Sequence, residues 1–198
     1  MTLREIVDSV KIRFQDVSDT RVISLANNAQ NEIAEQSHIL STTYEFTVAD
    51  FADTLTYALP SNCLLVYQVK LFNSDDENVS DTYKDRLLWW VEFGTLRFRD
   101  EDDVDATALP TAITQITISY YRRPVAFSAG DYTASSSLPS EFHQGIVARI
   151  VEELYADTGN FQAAAYWAGK AREYVIRAKR YANIVNDYDD DTEGVLSA

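Results

Sequence analysis

The chain is predicted to be α+β: a four-helix unit built from both chain ends, with an inserted antiparallel β domain. Three observations predict this. Residues before 41 and after 137 carry apolar side chains at helical spacing, and the residues between carry them at alternate positions. The helices at each end also have apolar stripes too exposed to stand alone. They are expected to pack together and carry the β region as a side lobe.

The first helix opens on Thr2-Leu3-Arg4-Glu5, a capping-box pattern, and continues through Ile6, Val7, Val10 and Phe14. After a break at Asp16-Val17-Ser18-Asp19, Ser18 or Asp19 can cap a second helix. There Val22, Ala26, Ala29 and Ile33 form one narrow stripe, with Asn27, Asn31 and Glu35 opposite. That helix is expected to end near Ser37-His38.

From Ser41 the period becomes two. Tyr44, Phe46 and Val48 alternate with polar residues, as do Leu55, Tyr57 and Leu59. Cys63, Leu65, Tyr67, Val69 and Leu71 define one face of a longer strand, with Leu64 and Val66 on the other. Leu96 with Phe98, and Ile116 with Ile118 and Tyr120, mark two more strands. Five or more strands with turn-like gaps suggest an antiparallel sheet or small sandwich. The run Leu87-Leu88-Trp89-Trp90-Val91 has no period that decides between helix and strand. Residues 128–137 are small and polar and read as a linker out of the sheet.

Helical spacing returns at Ser140, with Phe142, Ile146, Val147, Ile150, Val151 and Leu154. Asp157-Thr158-Gly159-Asn160 is a stop followed by a new cap. The last helix is predicted to run to Asn186, about 39 Å at 1.5 Å per residue. A small stripe (Ala164, Ala168, Ala171, Val175, Ala178, Ala182) lies beside an aromatic one (Trp167, Tyr174, Tyr181). The domains expected are therefore 1–40 with 138–186 as a helical bundle, 41–137 as the β insert, and 187–198 as an acidic flexible tail.

At 198 residues the chain can bury a self-sufficient core. Its formal charge of −14 argues against a surface that grips nucleic acid, because phosphate binding relies on Lys and Arg. No basic-then-apolar leader opens the chain and no apolar run is long enough to span a bilayer, so synthesis in the cytoplasm and no membrane contact are expected.

Catalytic patterns are not found. Cys63, His38 and His143 are too few and too scattered for a zinc cluster. The six glycines form no phosphate-binding loop. The acidic loop 100–105 has calcium-type ligands but Asp105 where an EF-hand needs Gly, and Thr111 where it needs Glu. His143 reads as a packed or hydrogen-bonded interface residue, Cys63 as a small core hydrophobe. No cofactor, metal or catalytic residue is expected. A glycosidase needs only two placed acids, and acids are too frequent here for any pair to count.

Several segments, in their order along the chain, resemble the head-to-tail adaptor (head-completion, connector) proteins of tailed bacteriophages. They are Leu25-Ala26-Asn27-Asn28-Ala29-Gln30, Tyr57-Ala58-Leu59-Pro60-Ser61, Ile118-Ser119-Tyr120-Tyr121-Arg122-Arg123-Pro124 and Leu138-Pro139-Ser140-Glu141-Phe142. The resemblance spans residues 19–181. It implies a structural virion protein at the neck, made in the host cytoplasm. Such adaptors bind beneath the portal as a ring of matching copy number, here dodecameric, extend the DNA channel and dock the tail or nozzle protein. Genomic DNA passes through without specific binding, and an acidic lumen would keep it from sticking. The C-terminal segment would reach along the portal, with Tyr188, Val195 and Leu196 as apolar anchors. Arg177, Arg180 and Tyr181 complete the expected partner interface. The bases of the last helix have two readings, stems covering the core edge or charge pairing with an acidic neighbour. A rival reading makes the insert a carbohydrate- or receptor-binding module on Trp89 and Trp90.

Overall fold

The computed structural model describes residues 1–47, 56–84, 87–100 and 109–194. It is α+β, and its contacts fall into two compact units: Met1–Leu40 with the chain from Arg123 onward, and Ser41–Arg122.

In the helical unit, α1 (Leu3–Lys11) is capped by Thr2, whose hydroxyl accepts from the Glu5 amide while the Glu5 carboxylate accepts from the Thr2 amide at 2.8 Å. Helix α2 (Asp19–Ser37) starts on Ser18, which accepts from the Arg21 amide, and ends on His38 in the left-handed region (φ 55). Helix α4 (His143–Asp157) follows a 3₁₀ turn at Ser140–Phe142. Helix α5 (Phe161–Gly194) starts on Asn160, which accepts from the Ala163 amide. Gly159, at φ 75, makes the reversal between them. Leu3, Ile6, Val22, Ala26, Ile146, Ile150 and Ala178 are among the buried residues of one core that draws on all four helices.

Helices α4 and α5 approach closely at Gly145. A Cβ there would meet the Tyr174 Cβ at 2.8 Å, so only Gly lets the backbones come this near. The helix α5 is longer than its sequence suggests. It passes Asn186 without a break, because residues 187–193 repel one another but contain neither Pro nor Gly to stop a helix.

The segment 123–139 has no regular structure yet lies with the helices, not with the sheets. It is held by hydrogen bonds that alternation cannot reveal. Asn27 donates to the Phe127 carbonyl at 3.1 Å and accepts from the Phe127 amide at 2.7 Å. Gln30, fully buried, donates to the Val125 carbonyl at 2.9 Å and accepts from the Ser136 hydroxyl at 3.0 Å. Further on, the Leu3 amide donates to Ala134 and the Arg4 amide to Tyr132. Asn27 therefore does not simply face water opposite the apolar stripe.

The β unit holds two three-stranded antiparallel sheets. One has the order β1 (Ser41–Thr47), β6 (Gln115–Arg122), β3 (Cys63–Phe72); the other β2 (Thr56–Ala58), β5 (Thr95–Asp100), β4 (Leu87–Glu92). A short helix, α3 (Ser80–Tyr83), precedes β4. Phe46, Tyr57, Leu71, Leu96, Phe98, Ile116 and Ile118 share one core. Tyr57 is at its centre, 5.9 Å ring to ring from Phe98 and 5.2 Å from Phe46, and burial pushes its hydroxyl pKa up to about 12. The ambiguous apolar run proves to be strand β4. Alternation fails in β3, where irregularities fall between Cys63 and Leu65 and between Val66 and Gln68. Each shifts the strand by one residue, so Val66 and Leu71, an odd five residues apart, are both buried while Leu65 and Tyr67 are exposed. Val48, Leu55 and the loop 101–105 lie outside the described residues.

Candidate functional site

The exposed stripe on the second half of α5 contains three of the residues singled out from sequence. Arg177, Arg180, Tyr181 and Ile184 stand at steps of three, one and three, which puts them on one side of the helix. All four are exposed, Tyr181 by 40% and Ile184 by 65%. Ala171, Ala178 and Ala182 occupy a different, buried side. The Arg177 guanidinium lies over the Tyr174 ring at 5.6 Å, and Tyr181 meets Phe142 edge-on at 5.7 Å. These two contacts fix the roots of the stripe while its tips stay in solvent.

Phe142 stands at the start of α4, so its contact with Tyr181 marks where the α4–α5 hairpin closes. Ala182 is the last buried residue described on α5. The helical backbone continues twelve residues past it to Gly194, about 18 Å. Tyr188 falls within that extension, its side chain outside the description; Val195 and Leu196 lie outside the described residues altogether. Lys170 pairs with Glu173 at 3.4 Å, while Arg172, Lys179 and Arg180 are exposed.

A cavity of about 220 Å³ between α2, α4 and α5 contains two acids, Glu32 and Glu152. Both are bound by Arg149, at 2.8 and 2.6 Å, and the pairing holds that guanidinium charged. The triad ties α2 to α4, and the second carboxylate oxygen of Glu152 is buried with no hydrogen-bond partner among the described residues. Arg21 makes a second tie from α2, to Asp157 at 3.1 Å. His143 is buried against the start of its helix. One ring nitrogen contacts the Leu138 carbonyl at 2.7 Å and the other the Met1 nitrogen, and burial holds its pKa below the usual histidine value. Cys63 is half-buried in β3, and burial pushes its thiol pKa up. Among the described residues no group of His, Cys, Asp and Glu could hold a metal ion, and no helix is long and apolar enough to cross a membrane.

The β unit presents a second surface. Trp89 and Trp90, adjacent in strand β4, lie on opposite faces of its sheet. Trp90 is covered by the Arg99 guanidinium at 4.7 Å, so the two indoles do not form one platform. Trp89 and Val91 instead join Leu59, Pro60, Cys63 and Leu65 around an apolar groove of about 490 Å³. Sequence reading missed this groove because the β3 irregularities turn Leu65 outward. It also missed Phe93, 95% exposed at the turn beside the groove, although Glu92-Phe93-Gly94-Thr95 is a legible two-residue turn.

The curated proteins compared with this chain include no match. A family model described as SU10 adaptor protein matches residues 1–192, which takes in both helical ends and the whole β unit. With that coverage the chain belongs to the SU10 adaptor protein family, a family of structural phage adaptors.

Proposed function

We propose that this chain joins a capsid portal to a tail: copies assemble head to tail into a ring beneath the portal, dodecameric where the portal is, and carry the DNA channel onward to the tail or nozzle protein. One observation supports this above others. Helix α5 outruns the 15-residue α4 it packs against, and its second half shows an exposed Arg/Tyr/Ile stripe to solvent. A helix extended past its own bundle with such a stripe suits a groove on another protein. The portal contact is assigned to Arg177, Arg180, Tyr181 and Tyr188, with Val195 and Leu196 as end anchors. A formal charge of −14 suits a channel through which DNA slides without sticking, and acidic side chains are assigned to its wall. The particle neck is the location this role requires.

Co-sedimentation with purified portal rings tests the reading. The full chain is expected to form a stable complex. A chain stopped after Asn186 is expected to bind at least tenfold more weakly, as is Arg177→Glu with Arg180→Glu. Equal binding by all three would overturn the assignment of α5. Sedimentation of the wild type apart from the portal would overturn the portal role itself.

A further inference from the structure

Helix α5 carries another exposed stripe, beside the one assigned to the portal. Phe161, Ala165, Gly169, Arg172, Ile176 and Lys179 follow at steps of four, four, three, four and three, so they share one side of the helix. That is the spacing of a helix–helix seam. Yet all six are exposed, Phe161 by 73% and Ile176 by 42%. Gly169 sharpens the point. Gly is among the poorest residues for a helix interior. A Cβ at Gly169 would meet nothing within 4 Å, so the chain's own packing gives no reason for Gly there. A Gly on a helix face does let another helix approach closely, as Gly145 does within the helical unit.

A complementary stripe stands on α1. Glu5, Asp8 and Ile12, at steps of three and four, share its outer side and are all exposed, Ile12 by 76%. The other charges of the two helices are already engaged. Arg4 lies over the Tyr132 ring and Lys11 pairs with Asp19, while on α5 Glu173 pairs with Lys170. Among the described residues Asp8, Arg172 and Lys179 form no ion pair. The α1 stripe thus offers two acids and an aliphatic side chain, and the α5 stripe two bases with Phe161 and Ile176. Helices α1 and α5 each pack against both α2 and α4, so they stand on opposite sides of that pair, and their outer stripes point away from each other.

We propose that these two stripes form the contact between neighbouring copies: the Phe161–Lys179 side of α5 in one copy packs on the Glu5–Ile12 side of α1 in the next. The inference rests on the head-to-tail ring proposed above and gives that ring its surfaces. The occupant is a second copy of this chain because each stripe supplies what the other lacks, acid against base and aliphatic against aliphatic, with Gly169 admitting the close approach. Two different faces on opposite sides of one unit repeat from copy to copy, the heterologous arrangement that closes into a ring when the rotation between copies allows. A charge of −14 makes free copies repel one another, so the ring forms where a portal gathers them. The contact uses none of the residues assigned to the portal.

Native mass spectrometry of the full chain mixed with purified portal rings tests this by counting the copies each ring holds. The wild type is expected to fill cooperatively, giving empty and full rings with few between. An α1 variant (Glu5→Lys with Asp8→Lys) and an α5 variant (Arg172→Glu with Lys179→Glu) are each expected to need at least tenfold more protein and to leave partly filled rings. An equal mixture of the two is expected to fill like the wild type, because alternating copies restore opposite charges at every contact; misfolded chains would not be rescued this way. Gly169→Leu is expected to weaken filling at least tenfold while the thermal midpoint of the free chain stays equal or rises. Variants that fill like the wild type overturn the contact and leave the portal role standing. Variants that lose the portal and are not rescued by mixing give these faces to the portal and overturn the second copy as occupant. A wild type that never joins the portal overturns the portal role and this contact with it.

Discussion

Single residues set the joints of the helical unit. Gln30 is fully buried and serves Val125 and Ser136 at once, so replacing it with Leu leaves a carbonyl and a hydroxyl without their partner. The expected cost is about 1–3 kcal/mol, read as a lower denaturation midpoint by circular dichroism. Gly145→Ala gains helix propensity but drives a Cβ to 2.8 Å from Tyr174. A net loss of about 1–3 kcal/mol is expected, because backbone-proximal atoms cannot swing aside. His143 adds a pH dependence. Burial lowers its folded-state pKa below the ordinary 6.5, so the unfolded chain takes up a proton first as pH falls. The stability His143 contributes is present above pH 6.5 and declines below it, until pH drops past the folded pKa. Chemical denaturation of the wild type and of His143→Gln at pH 8 and pH 5 checks this: the gap between them is expected to narrow at pH 5. The motif Leu25-Ala26-Asn27-Asn28-Ala29-Gln30 signals a resemblance in sequence, and the structure gives it a cause. Its two amides grip the chain where it leaves the sheet. That role is invisible to periodicity, which sees only polar residues beside a stripe.

At the scale of elements, what could be read from sequence followed the strength of the local period. The capping box of α1, the Ser18 cap of α2 and the Gly159 reversal are local chemistry, and each is where the residues put it. Ser18→Ala is expected to cost about 1 kcal/mol in the same denaturation assay. Strand β3 resisted reading because a bulge is a decision of the partner strand, and β6 lies some fifty residues away in sequence. The apolar run at β4 was undecidable for a related reason, since burial on alternating faces depends on which sheet covers it. The stripe on α5 was legible in part. Arg177, Arg180 and Tyr181 were named only with the resemblance, and their exposure on one side, like that of Ile184 and the continuation of the helix to Gly194, depends on where the bundle ends.

For the whole molecule, the governing arrangement is the insertion of one unit into another. Each unit has its own apolar core, and among the described residues no buried residue belongs to both. The insert begins on β1 and finishes on β6, and these strands are paired, with Ser41 directly opposite Tyr121. Residues opposed across an antiparallel pair stand only about 5 Å apart. Replacing residues 41–122 by a short Gly-rich turn is therefore expected to leave a helical protein that unfolds cooperatively. Loss of cooperative unfolding in that shortened chain would show that the helices depend on the lobe.

Because Ser41 and Tyr121 are adjacent, the chain enters and leaves the inserted unit at neighbouring points. Mutation can enlarge, trim or exchange the insert without re-threading the helices, because its two ends are already side by side. Sequence change can thus accumulate in the insert while the path of the helical unit is kept.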